Sequence, residues 1–163
     1  MTKNLDKEGI KSIIQNYDVF YIDLWGVVHN GIVLHKNAIQ VLEEIGKIKK
    51  NYVLLTNAPR PNKAVKSFLD KMGMKKEIRD KVYSSGEAAL SYLKKNYLNE
   101  KFYHIGPPRD FDLFLDFKKN KIKEIDECSY ILCTGLFENQ INDLGYYEKF
   151  LTKHTKKKMI CTN

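Results

Sequence analysis

Asp18-Val19-Phe20-Tyr21-Ile22-Asp23-Leu24-Trp25-Gly26-Val27-Val28-His29-Asn30-Gly31 is the stretch on which the fold turns. A run of β-branched and aromatic residues ends at a carboxylate, and a glycine after the next aromatic lets the backbone turn away. The pattern predicts a strand over 18–24 with Asp23 at its tip. In an open parallel sheet, ligands sit at the carboxyl ends of the strands, so an acid delivered there is a candidate for chemistry. Asp and Gly also form ordinary turns, and that plainer role accounts for this stretch taken alone.

Working outward, Leu5, Ile10, Ile13 and Ile14 have the spacing of a short amphipathic helix before the strand. Behind it, Ala38, Ile39, Val41, Leu42, Ile45 and Ile48 mark the apolar face of a second helix, which closes in Lys47 to Lys50. Tyr52-Val53-Leu54-Leu55 then reads as a strand buried on both faces. Strand, helix, strand is a βαβ unit, whose crossover implies a parallel sheet. Thr56 and Asn57 follow at the carboxyl end of that strand. Pro61 suits the first turn of a helix carrying Ala64, Val65, Phe68, Leu69 and Met72, with Gly73 past its end. A short third strand, Val82-Tyr83-Ser84, precedes another helix that Ser84-Ser85-Gly86 caps, although the strand-end position would also place these residues near the cleft.

Beyond about Asn99 the pattern restarts. Lys101 to Gly106 reads as a strand stopped by Pro107-Pro108, Phe111 to Phe117 as a short helical piece, and Ile122 to Ile125 as a further strand. Tyr130 to Gly135 is a firmer strand, followed by a helix through Leu144, Tyr147, Phe150 and Leu151, and by a strand-like end at Met159 to Asn163. A buried strand normally feeds another element, so the stop at Thr162-Asn163 leads us to expect a fragment of a longer protein.

The 163 residues hold 43% hydrophobic and 29% charged residues, the composition of an ordinary globular chain, with no repeat or low-complexity tract. No apolar run is long enough to cross a bilayer, and Met1 to Lys7 lead into no signal core, so a cytoplasmic protein without a membrane partner is expected. Cys128, Cys133 and Cys161 are an odd number without a Cys-x-x-Cys pair, and are read as buried, reduced thiols. The net charge of +8 is almost all Lys, scattered mostly at helix ends where it complements the dipole. No basic stripe is interleaved with aromatics, so no nucleic-acid partner is expected. Oligomeric state leaves no signature.

The two strand tips make a more specific signal together. A carboxylate such as Asp23 can attack phosphorus to give an aspartyl-phosphate, which splits hydrolysis into two displacements. Carboxylate and phosphate repel, so such chemistry calls for Mg²⁺, held by carboxylate, a backbone carbonyl and waters. A hydroxyl such as Thr56 and the amides around Asn57 suit phosphoryl oxygens. A nucleotide-binding Rossmann domain is disfavoured, because no Gly-x-Gly-x-x-Gly follows the first strand.

Asp23-Leu24-Trp25-Gly26-Val27 with Gly31, then Leu54-Leu55-Thr56-Asn57, resembles the first two motifs of the haloacid dehalogenase (HAD) superfamily of phosphatases. His104-Ile105-Gly106, Cys133-Thr134-Gly135-Leu136 and Ile160-Cys161-Thr162-Asn163 resemble the α/β cap of its class IIA branch. The resemblance implies an α/β fold: a doubly wound parallel-sheet core, incomplete here, over residues 1–98, and part of an inserted cap over 99–163. It implies Asp23 as nucleophile and metal ligand, the Trp25 backbone carbonyl as a second ligand, Thr56 as the phosphate-binding hydroxyl with Asn57 adjoining, Mg²⁺ as cofactor, and a small phosphorylated molecule as substrate.

Two departures bear on activity. The family's usual acid and base Asp, two residues after the nucleophile, is Trp25 here, and an indole exchanges no proton near neutral pH. Loss of such a group costs about two to four orders of magnitude in rate. The Lys and acidic metal ligands of the later motifs would lie after Asn163, so these residues alone are expected to be inactive or nearly so, and a catalytically silent phosphate-binding protein is the alternative. His29 is a substitute proton donor or a solvent-facing loop residue. His104 and His154 are read as structural or exposed, and Arg60 as either a substrate-anion contact or a surface residue.

Overall fold

A computed structural model describes residues 5–162. The expectations that fall on Met1 to Asn4 and on Asn163 lie outside them. The first helix is shorter than its apolar spacing suggests. Helix α1 (Leu5–Glu8) stops at Gly9, whose φ of 65° leaves the helical region, and two 3₁₀ turns carry the chain on to Asn16.

Strand β1 (Val19–Asp23) pairs in parallel with β2 (Asn51–Thr56), from Val19 opposite Asn51 to Asp23 opposite Leu55. Helix α2 (Lys36–Lys47) is the crossover, burying Leu42 and Ile45 from the predicted apolar stripe. The third strand, β3 (Val82–Ser84), lies beside β2, joined to it where the Leu54 amide donates to the Lys81 carbonyl at 2.9 Å. Between them run α3 (Asn62–Lys71) and the short α4 (Lys76–Arg79), and Gly73 ends the first of these with φ at 83°. β2 is not buried on both faces as its apolar run suggests. Tyr52 and Leu54 are buried whereas Leu55 is exposed, the alternation of a sheet with one packed face. β1 is an edge strand, and Tyr21 on it is 71% exposed.

Helix α5 (Ser85–Asn96) leads to a second parallel sheet of order β4-β5-β6, formed by Phe102–Ile105, Tyr130–Cys133 and Lys158–Cys161. The link from β4 to β5 is mostly 3₁₀ helix, Pro108–Asn120, with the chain departing from helical angles at Phe114 and Phe117. Those rings pack edge-on to Phe102 and, with Leu93, Leu113, Tyr130 and Leu132, fill one core of this sheet. The strand expected over 122–125 does not form: Lys121 makes a single bridge to Phe102, and Ile125–Glu127 is a 3₁₀ turn. Helix α6 (Leu144–Lys153), capped by the Asp143 carboxylate, connects β5 to β6 and buries Tyr147. None of the three cysteines forms a disulfide; Cys128 is buried as expected, whereas Cys161 is exposed.

The chain divides into two compact units. One holds residues 5–55 with Leu69–Val82, and the other Thr56–Phe68 with residues 83–162. No helix among the described residues is long and apolar enough to cross a membrane.

Candidate active site

Asp23 is the last residue of β1, and its Oδ1 accepts the Leu24 amide at 2.8 Å. Buried Leu24 and Val28 pin the turn that follows. Within it the Val28 and His29 amides donate to the Leu24 carbonyl, and the Gly26 amide donates to the His29 carbonyl at 2.8 Å. Gly26 takes a φ of 77°, which a side chain would oppose. The Asn30 carboxamide oxygen accepts the Ile32 and Val33 amides, and the His35 amide closes the loop on the Val28 carbonyl. Asn30 was not singled out from sequence, although an Asn two residues before an apolar pair is the signal of such a turn.

Trp25 stands out of this turn, 63% exposed. Its ring meets that of His29 edge-on, with centroids 5.6 Å apart, and a Cβ added at Gly31 would come within 2.7 Å of the indole. Glycine at 31 suits the φ of 90°, and a side chain there would also displace the end of the Trp25 ring. His29 does not face solvent as a loop histidine would: it is 5% exposed, and its Nδ1 accepts the Gly31 amide at 3.0 Å. That bond puts the proton of the neutral ring on Nε2. Burial lowers its pKa, the neighbouring His35 lowers it further, and Asp23 pulls it partly back.

Thr56 closes β2, one residue beyond the register partner of Asp23. Its Oγ1 accepts the Ala58 amide at 3.2 Å, so the hydroxyl proton remains for another acceptor, and Asn57 beside it is exposed. The following segment is clamped. Ser85 Oγ and the Gly86 amide donate to the Ala58 carbonyl, Ser84 Oγ donates to the Arg60 carbonyl at 2.6 Å, and the Ser84 amide donates to Asn62 Oδ1. The Asn62 amide donates in turn to Glu87 Oε2 at 2.8 Å. Ser84 also caps α5 through the Glu87 amide, as expected. Arg60 is held by Asp112, at 2.9 Å from Nε and 2.5 Å from Nη2, so its guanidinium serves an ion pair and not an open anion contact.

Among the described residues no group of three or more His, Cys, Asp or Glu side chains gathers to hold a metal. The donors that the turn does supply are hard oxygens. The Asp23 residue is exposed, and the Trp25 carbonyl is a backbone oxygen of the same turn. One carboxylate, one carbonyl and several waters is the donor set that Mg²⁺ accepts.

Residues 20–117 match the family described as haloacid dehalogenase-like hydrolase. Phosphoglycolate phosphatase 2 of Arabidopsis thaliana is 26% identical over 88% of this chain, and the chain spans 53% of that relative's length. A haloacid dehalogenase-like hydrolase from Brucella suis superposes on the whole chain with a TM-score of 0.79 and 26% identity, over 60% of its own length. A glycerol phosphate phosphatase from Mycobacterium tuberculosis, solved with magnesium, matches 93% of the chain at 19% identity and a TM-score of 0.63, over 45% of its own length. The motif order, the parallel α/β sheets and a family match across most of the chain agree: this chain belongs to the haloacid dehalogenase-like hydrolases.

Proposed function

We propose that the protein is a phosphatase of a small phosphorylated molecule, acting through an aspartyl-phosphate on Asp23. The observation that carries this reading is the carboxylate at the end of β1, oriented by the Leu24 amide and followed by a tightly bonded turn. In the proposed reaction an Asp23 oxygen attacks phosphorus, the ester P–O bond breaks, and the leaving oxygen takes a proton from solvent water; a second water then attacks the phosphorus, the Asp23 O–P bond breaks, and inorganic phosphate leaves with the carboxylate restored. Thr56 and the amides around Asn57 hold phosphoryl oxygens. The Asp23 carboxylate and the Trp25 carbonyl would hold Mg²⁺, which would supply charge neutralisation for the attack. We assign 1–98 to the core and 99–163 to the cap, and the cytoplasm as the compartment. The chain spans about half the length of the curated relative, so this activity is assigned to the whole protein.

Trp25 favours a second reading, a protein that binds phosphate ligands and turns them over slowly or not at all. Its indole packs on His29 and Gly31 where the family carries a proton-transfer carboxylate. The test is hydrolysis of p-nitrophenyl phosphate by the full-length protein with Mg²⁺. We expect measurable turnover that Asp23→Asn abolishes; turnover unchanged in that variant overturns the mechanism.

A further inference from the structure

Two of the three cysteines come together at the carboxyl ends of the second sheet. Cys133 closes β5 and Cys161 closes β6, and the two are register partners in the parallel pair. Register partners on neighbouring strands send their side chains to the same face, and such strands run about 4.8 Å apart, inside the Cα separation that a disulfide spans. The two side chains make a hydrogen-bonding contact with one another, and no disulfide joins them in this structure. Cys128 precedes β5 at its opposite end, five residues back, or about 16 Å along a chain that rises about 3.3 Å per residue.

Backbone bonds hold the pair in place. The Cys133 carbonyl accepts the Thr162 amide at 3.0 Å and the Thr162 hydroxyl at 3.4 Å, which fixes β6 beside it. On the other side the Thr134 amide donates to the Ile105 carbonyl at 2.8 Å, and the Thr134 hydroxyl lies 2.9 Å from Nε2 of the buried His104. The two sulfurs differ in what can reach them. Cys161 is exposed, whereas Cys133 is partly buried and packs on the cluster of Ile105, Cys128, Ile131 and Tyr147. Burial, with Cys161 as the second cause, pushes the Cys133 thiol up to about 11, so it keeps its proton at pH 7. An accessible thiol beside a sheltered one suits a sulfur that meets an oxidant and a second that resolves the product.

We propose that Cys133 and Cys161 are a redox-responsive pair, which a hydroperoxide closes into an intramolecular disulfide across β5 and β6. Cys161 Sγ attacks one oxygen of hydrogen peroxide, the O–O bond breaks, and the sulfur is oxidised to a sulfenic acid while the leaving oxygen takes the thiol proton and departs as water. Cys133 Sγ then attacks the sulfenic sulfur, the S–O bond breaks, and hydroxide leaves with the Cys133 proton as a second water. The two thiols give up two electrons and the peroxide accepts them. The bond encloses residues 134–160, α6 among them, so β6 cannot part from β5 at this end until a thiol reductant, entering at exposed Cys161, opens it. The proposal is independent of the chemistry assigned to Asp23.

The test exposes the full-length protein to a slight excess of hydrogen peroxide, alkylates the remaining thiols in denaturant, and maps the bonds by mass spectrometry. Chymotrypsin, which cuts after Tyr130, separates Cys128 from Cys133 for the mapping. The expected product has the Cys133 and Cys161 peptides of one chain joined and Cys128 alkylated, and dithiothreitol should restore both thiols. Cys161→Ser should leave Cys133 open to alkylation after the same exposure, and Cys133→Ser should halt Cys161 as a sulfenic acid that dimedone traps. Cys128→Ser should form the disulfide unchanged. A disulfide through any other cysteine, bonds between chains only, oxidation of Cys161 past the sulfenic acid with Cys133 untouched, or no reaction at either residue would each overturn the pair. The mapping of the unsubstituted protein decides it even where a variant does not fold.

Discussion

Two residues separate what a strand pattern reveals from what only a folded chain reveals. Asp23 was legible, because a carboxylate at the end of an apolar run is visible as a local pattern. The burial of His29 was not, since it depends on a loop that closes through backbone bonds from Gly26 and His35. Trp25 was legible as a departure, and its consequence is testable. In the full-length protein, Trp25→Asp should raise phosphate-ester turnover by roughly two to four orders of magnitude, the worth of a positioned proton donor, while phosphate affinity changes little. An unchanged kcat in a folded variant would show that the family's acid and base position is not what limits this protein. His104 offers a prediction on stability. Its folded pKa of about 4 lies below the usual 6.5, so between these values the unfolded chain binds the extra proton. The stabilisation is fully present above pH 6.5 and is lost as pH falls toward 4. Denaturation followed across that window should show stability falling with acidity, and His104→Asn should flatten part of the slope.

At the scale of elements, most of the longer helices and strands are announced by neighbours in sequence, while the short α4 is not and the strand read over 122–125 does not form. The contacts that fix their places are not announced either. Ser84 was readable as a cap for α5, yet the same residue binds Arg60 and Asn62, more than twenty positions away in the chain. Glu87 departs from the usual capping box: it turns to the Asn62 amide while the Ser84 amide takes Asn62 Oδ1. Nothing in the local pattern of 84–87 names these partners. Gly86 leaves no room for a side chain, because a Cβ there would overlap the Arg60 backbone, and backbone gives way less readily than a flexible side chain. Gly86→Ala should therefore destabilise by about 1–3 kcal/mol, although alanine is the better helix former. Hydrogen exchange should localise the loss to the α5 N-terminus and the 58–62 segment; a variant as protected as the parent would contradict the clamp. The failed expectation over residues 5–14 has the opposite cause, a local one: Gly9 breaks the helix that the apolar spacing suggests.

At the scale of the whole molecule, the parallel α/β character was legible from alternating strand and helix patterns, and both three-stranded sheets bear it out. The grouping of residues 56–68 with 83–162 was not legible, since it depends on pairings such as Arg60 with Asp112 that sequence periodicity does not encode. Those pairings also bear on what the net charge of +8 means. The chain has three arginines, and each is engaged: Arg60 with Asp112, Arg79 with Asp70 at 3.0 Å, and Arg109 with Glu138. The guanidinium groups that would read a phosphate or a guanine bidentately are thus already committed to carboxylates. What remains is a scattered lysine excess, which attracts polyanions without fixing a register on them. Duplex DNA should accordingly bind in the non-specific range, with a dissociation constant of about 10⁻⁴–10⁻⁶ M at physiological salt, and the complex should dissolve steeply as salt rises. Fluorescence anisotropy with duplexes of unrelated sequence would check this. Affinities that differ between sequences, or that survive high salt, would show that the basic surface is organised for nucleic acid in a way these ion pairs do not allow.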